Sequence, residues 1–152
     1  MRKLLLAVVL ISIAAIPACM PTQVPARLAG SQSNLVQIGK AMKMYASDWD
    51  DRLPPMRNTA VLKKAVRPYV EKMEDGSTED LFVQPGPNKP YRVNAVLSNQ
   101  KENQITSPAE IVALYEADPD QDGLRNALFM DGHVKHLDAR EWLRVKKTSE
   151  IR

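Results

Sequence analysis

Residues 31–49, Ser-Gln-Ser-Asn-Leu-Val-Gln-Ile-Gly-Lys-Ala-Met-Lys-Met-Tyr-Ala-Ser-Asp-Trp, carry the pattern on which the fold turns. Leu35, Ile38, Met42, Tyr45 and Trp49 recur at spacings of three and four, which aligns them on one stripe of a helix. Gln32, Gln37, Lys40, Lys43 and Asp48 fall off the stripe. The apolar repeat lasts only two heptads, so the helix is expected to pack on the protein's own sheet rather than in a coiled coil. Asp50-Asp51-Arg52-Leu53-Pro54-Pro55 should end it, since a residue before proline is pushed out of the helical region.

The sheet is read from the chain that follows. Residues 91–97 alternate partially, and Ile111-Val112-Ala113-Leu114-Tyr115 is a short apolar run bounded by turn signals, so both are expected strands. Just before the second, Ser107-Pro108-Ala109-Glu110 has the capping-box pattern and predicts one helical turn, with a longer helix through Tyr115 as the rival. In residues 126–137, Asp131-Gly132 suits a two-residue type I′ turn and predicts a hairpin. That register sets Phe129 against Val134 and Ala127 against His136 on one side, and Met130 against His133 and Leu128 against Lys135 on the other. Asp138 as N-cap and Glu141 as the closing residue of a capping box then start a terminal helix, from about residue 139 to 146, with Leu137 and Trp142 as its hydrophobic staple.

Between the long helix and the strands, Asn58 should cap a second helix that buries Val61, Leu62, Ala65 and Val66 and is limited by Pro68. Residues 74–90 hold Asp-Gly, Pro-Gly-Pro and Lys-Pro breakers around Leu81-Phe82-Val83, which leaves loop with at most one edge strand. The expected fold class is therefore α+β: a long N-terminal helix packed on a small antiparallel sheet, with a C-terminal hairpin and a short terminal helix.

Upstream of residue 31 the chain changes character. Met1-Arg2-Lys3 is a positive start, and residues 4–16 form an apolar run broken by one serine and ended by Pro17. As a helix that run would span about 20 Å against roughly 30 Å of hydrocarbon, so residues 1–18 read as an export signal rather than a permanent span. Ile16-Pro17-Ala18-Cys19 resembles the lipobox of bacterial lipoproteins, apart from Pro17, which makes Cys19 the candidate lipidation site. An ordinary signal peptide cut after Ala18 is the alternative, and it would put bulky Ile16 where a small residue is preferred. Residues 19–30 then serve as lipidated Cys and tether, and residues 31–152 as the globular domain.

Composition agrees with this division. Of 152 residues, 44% are hydrophobic and 26% charged, enough for one core, and 11 prolines against 6 glycines imply many loops. One cysteine and two histidines exclude a cysteine-rich zinc site or an internal disulfide. Removing residues 1–18 takes away Arg2 and Lys3 and leaves 19 basic against 18 acidic side chains, so no nucleic-acid footprint is expected.

The residues that could carry chemistry are few. Asp118-Pro119-Asp120-Gln121-Asp122-Gly123 alternates carboxylates and ends in glycine, an arrangement that wraps oxygen ligands round a hard cation such as Ca²⁺. It is no EF-hand, because Phe129 occupies the position of the bidentate glutamate; Glu116 or a backbone carbonyl could complete a simpler site, and a solvated acidic turn is the alternative. His133 and His136 cannot chelate one ion from a regular strand, where residues three apart point to opposite faces. Ser31, Ser33, Ser47 and Ser98 lie in no nucleophile-elbow context, and there is no glycine-rich phosphate loop. The expectation is a non-enzymatic protein, with a metal-dependent hydrolase using Asp131 and His133 as the remote alternative.

Taken together, residues 31–55, Tyr91-Arg92-Val93-Asn94 through Ser98, Ser107-Pro108 and residues 126–134 resemble, in order, the pseudopilin-like prepilin-type proteins with a processing-associated His-x9-Asp-Gly domain. The resemblance implies a pilin-like fold similar to the major pseudopilin of type II secretion, and calcium in its acidic C-terminal loop, here Asp118, Asp120 and Asp122. The leader and Cys19 lead to an expected bacterial envelope location in the periplasm or at the cell surface, with the membrane as a partner through the lipid anchor, and the resemblance adds other pilin-like or secretion-system proteins as partners. The chain departs from that family in three ways. It lacks the Gly-Phe-Thr-Leu-x-Glu start that packs subunits into a fibre. The family's histidine position holds Gln121, and the cysteine positions hold Ser31 and Gln84, the latter before Pro85, as if a disulfide had been lost whole. A true pseudopilin subunit using residues 4–16 as an uncleaved anchor is the alternative function.

Overall fold

The structure, a computed structural model, describes residues 26–71 and 80–151. Helix α1 (Ala26–Asp48) buries Leu28, Ser31, Leu35, Ile38, Met42 and Ala46, which follow one another at intervals of three and four. The helix is present from Ala26, upstream of Ser31, because Leu28 and Ser31 continue the buried stripe; residues 26–30, expected to be tether, belong to it. The signal segment 1–18 and Cys19 lie outside the described residues. At its other end Asp51 donates from its backbone N–H to Ala46 O at 2.9 Å, while Asp50 and Asp51 take left-handed φ angles of 55° and 58°. Trp49 thereby leaves the stripe, stays 56% exposed, and stacks on Tyr45 at 5.4 Å instead of entering the core.

Helix α2 (Thr59–Glu71) is capped as expected, with the Val61 amide donating to Asn58 Oδ1 at 2.9 Å. It does not stop at Pro68. The proline faces solvent, where the carbonyl it leaves unpaired can be hydrated, and burial of Tyr69 and Val70 carries the helix one turn further. Tyr69 also donates to Asp48 Oδ2 at 3.0 Å, joining α2 to the end of α1.

Four antiparallel strands, β1 (Arg92–Val93), β2 (Val112–Tyr115), β3 (Arg125–Phe129) and β4 (Val134–Leu137), pair in sequence order. β1 is shorter than residues 91–97 because Asn94 diverts the backbone. Its Oδ1 accepts from the Val96 amide and starts a 3₁₀ turn over Ala95–Leu97, while its Nδ2 donates to Val112 O and Ser149 O at 3.0 and 2.9 Å. Pro108–Glu110 form the single helical turn, but Ser107 is left-handed with no side-chain cap, so the capping box is not made. Among residues 80–90, Val83 makes only an isolated bridge to Pro90.

The hairpin forms with a longer loop than a type I′ turn. Phe129 and His133 close a three-residue loop with Gly132 at φ 97°, and the register shifts by one: Leu128 pairs with Val134 and Ala127 with Lys135. The shift suits both faces of the sheet. Leu128, Met130 and Val134 pack against α1, and Leu137 moves to the opposite face beside Ala127, Phe129 and Val112. An irregularity between Val112 and Leu114 turns both Ala113 and Leu114 toward the α1 core.

Helix α3 (Ala139–Thr148) covers that opposite face through Val145 and Trp142. Its capping box is present, Asp138 accepting from the Glu141 amide at 2.8 Å, as the sequence predicts. The fold is thus α+β, with α1 and α2 on one face of a four-stranded meander and α3 on the other. Among the described residues no helix is long and apolar enough to cross a membrane.

Leu128 is 1% exposed and its Cδ1 would lie 3.1 Å from a Cβ on Gly39, whereas Leu143 on α3 is 69% exposed. Leu128→Ala is expected to cost about 2–5 kcal/mol in urea unfolding, and Leu143→Ala less than about 0.5 kcal/mol.

Candidate functional site

β2 delivers an ionisable group into the interior at its end. Glu116 follows the apolar strand directly and is fully buried, so each oxygen of its carboxylate needs a donor. Ser31 donates to Oε1 at 2.6 Å from α1, the Asn126 amide donates to Oε2 at 2.9 Å from β3, and Arg27 Nη1 lies 3.4 Å from Oε1. Tyr91 donates to Ser31 Oγ at 2.9 Å, and Asn126 Nδ2 donates to Leu28 O at 3.2 Å. The network fastens the first two turns of α1 to the ends of β2 and β3. From the sequence Glu116 stands only as an extra calcium ligand beside the acidic loop, and nothing in the chain marks Arg27, Ser31, Tyr91 and Asn126 as a group. The available signal was a carboxylate continuing a buried apolar run, which demands donors from elsewhere in the chain.

Arg27 also connects this network to a groove of about 700 Å³ between the 84–89 and 118–122 loops, lined by Arg27, Gln84, Lys89, Asp118, Asp120 and Asp122. The three aspartates of the acidic loop share this groove, but their carboxylates serve different partners. Asp120 Oδ1 accepts from the amides of Asp122 and Leu124 at 3.0 and 2.9 Å, and its Oδ2 lies 3.6 Å from Arg27 Nη2. Asp118 pairs with Lys89 at 2.8 Å, and this hydrogen bond and charge hold its carboxyl below the usual range. Of the charged side chains lining the groove, Arg27 and Lys89 stand against Asp118, Asp120 and Asp122, and Arg125 and Arg92 also act on Asp118 from outside it, so the carboxylates are largely offset. Among the described residues no three His, Cys, Asp or Glu side chains converge as a ready metal cage. A cation would require Asp118 to turn from Lys89 and Asp120 from Arg27.

At the hairpin tip, His133 Nδ1 lies 2.6 Å from Asp131 Oδ1, and its ring stacks on Phe129 at 4.3 Å and 8°. Both contacts hold the turn together. Although burial acts to raise the Asp131 carboxyl, hydrogen bonds from the His133 amide and ring bring it below its ordinary value. His136 sits on β4 opposite Asn126, so the histidines are not brought together. Gln121 also lines the groove.

Comparison with protein-family models, with curated proteins and with solved structures finds no match to this chain.

Burial pushes the Tyr91 hydroxyl up to about 12 from its ordinary 10.0. The phenol is neutral in both states below pH 10; above that the unfolded chain ionises first, so its contribution to stability disappears as pH rises from 10 through 12. Urea midpoints are expected to fall more steeply over this interval in the native protein than in Tyr91→Phe, which at neutral pH loses about 0.5–1.5 kcal/mol with its hydrogen bond.

Proposed function

We propose that this protein is an exported, non-enzymatic domain of pilin-like architecture, held at the bacterial cell envelope through a lipid on Cys19, with a structural or binding role. The observation that carries the reading is the long helix laid along an antiparallel sheet, its first turns pinned through Glu116. The apolar run at residues 4–16 and the lipobox-like Ile16-Pro17-Ala18-Cys19 support export and anchoring.

A second support comes from the two positions where the resembled family carries cysteines. Ser31 and Gln84 are both buried and belong to adjoining segments: Asn34 Nδ2 donates to Val83 O at 3.3 Å, and a Cβ on Gly30 would meet Pro85 Cγ at 3.4 Å. Hydrogen bonds from Ser31 to Glu116 and from Gln84 Nε2 to Pro90 O occupy these positions here.

Intact mass spectrometry of the mature N-terminus from the membrane fraction tests the reading. Diacylglyceryl-modified Cys19 is the expected result, lost in Cys19→Ser. An unmodified chain retaining residues 4–16 would favour a true pseudopilin subunit of a secretion or pilus-like assembly, and a cleaved, unlipidated chain confined to soluble fractions would overturn membrane anchoring.

Calcium on Asp118, Asp120 and Asp122 is a second reading, favoured by the three carboxylates that line one groove. Because the ion must displace Lys89 and Arg27, millimolar affinity is expected. Ca²⁺ at about ten times its dissociation constant should then raise stability by about 1.4 kcal/mol. Asp122→Asn should abolish the effect, and an unchanged melting temperature up to about 10 mM would remove the reading.

A further inference from the structure

Although the chain beyond residue 18 is almost neutral, its charge is unevenly placed. Helix α3 carries Arg140, Arg144, Lys146 and Lys147 against Glu141 alone, and that carboxylate is engaged by Lys135 at 2.5 Å and by the Asp138 amide at 3.4 Å. Arg140, Leu143, Arg144 and Lys147 fall within about 100° of the helix circumference. That arc lies opposite Val145 and Trp142, which pack on the sheet. All four side chains are exposed, and no ion pair joins the three cations to any described residue. Leu143, at 69%, is the most exposed large apolar side chain among the described residues.

An apolar side chain set among unpaired cations, with no carboxylate on the same stripe, matches a surface of negative headgroups over hydrocarbon. The topology places the first turn of this stripe at the same sheet end as the start of α1, on the opposite face of the sheet. Trp142 lies 4.8 Å from Tyr115 and beneath the Arg125 guanidinium at 4.6 Å, so α3 starts at the sheet end where Asn126 holds Leu28. Between Cys19 and Ala26 the chain can extend at most about 25 Å, which keeps that end close to a bilayer holding the lipid.

We propose that Arg140, Leu143, Arg144 and Lys147 form a contact surface for anionic phospholipid, laying the α3 face of the domain on the membrane. The inference rests on the envelope reading, and its test separates the two. The full chain is incubated with vesicles of phosphatidylcholine alone or with about one-third phosphatidylglycerol. Flotation reports anchoring, and lysine acetylation followed by mass spectrometry reports the contact. Acetylation of Lys147 should fall about threefold or more on the anionic vesicles, recover in high salt, and leave Lys64 on α2 unchanged. The exposed pair of substitutions Arg140→Glu and Arg144→Glu should remove the protection. Flotation on both vesicles with equal Lys147 acetylation would overturn the contact while leaving the anchor intact. Flotation with protection on anionic vesicles only would support the contact and count against the anchor, whereas protection confined to native envelopes would indicate a protein partner and overturn the lipid proposal.

Discussion

The carboxylate of Glu116 sets the constraint on which the rest of the arrangement depends. A buried carboxyl group is tolerated only where donors surround it, and here three donors come from two elements: Ser31 and Arg27 on α1, and the Asn126 amide on β3. Satisfying them fixes where α1 enters the sheet, and the stripe from Leu35 to Met42 then falls over Leu114, Leu128 and Met130. Apolar burial supplies the larger part of the driving force, but it is non-directional and would accept neighbouring placements of the helix. The hydrogen bonds to Glu116 would not.

The sheet is read differently from its two sides. Toward α1 and α2 it presents the main core; toward α3 it presents a smaller cluster built on Val112, Ala127, Phe129 and Leu137. A sheet buried on both faces cannot slip by one residue without exchanging its core residues, so the three-residue loop at Met130-Asp131-Gly132 is selected by packing as much as by turn chemistry. Asn94 performs the matching service at the edge, tying the turn after β1 to β2 and to the end of α3 through three hydrogen bonds.

Polar function is concentrated outside those layers. One end of the domain gathers the groove of Arg27, Lys89 and the acidic loop, where cations and carboxylates already offset one another; the outer side of α3 gathers cations with no such partners. The first arrangement stabilises loops against each other. The second leaves electrostatic potential directed at solvent, which is what a charged surface needs in order to meet an oppositely charged one.

The α1 stripe, the core of β2, the hairpin and the Asp138–Glu141 capping box were all legible in the chain, because each depends on neighbours within a few residues: helical spacing, an apolar run, a turn dipeptide, a cap. The acidic loop was legible as a cluster but not as a geometry, since neither Lys89 nor Arg27 lies near it in sequence. The early start of α1, the passage of α2 through Pro68, the outward turn of Trp49, the hairpin register and the setting of Glu116 were decided by tertiary structure. In each of these the local preference was weak or divided, and burial or hydrogen bonding against residues far along the chain was strong enough to choose.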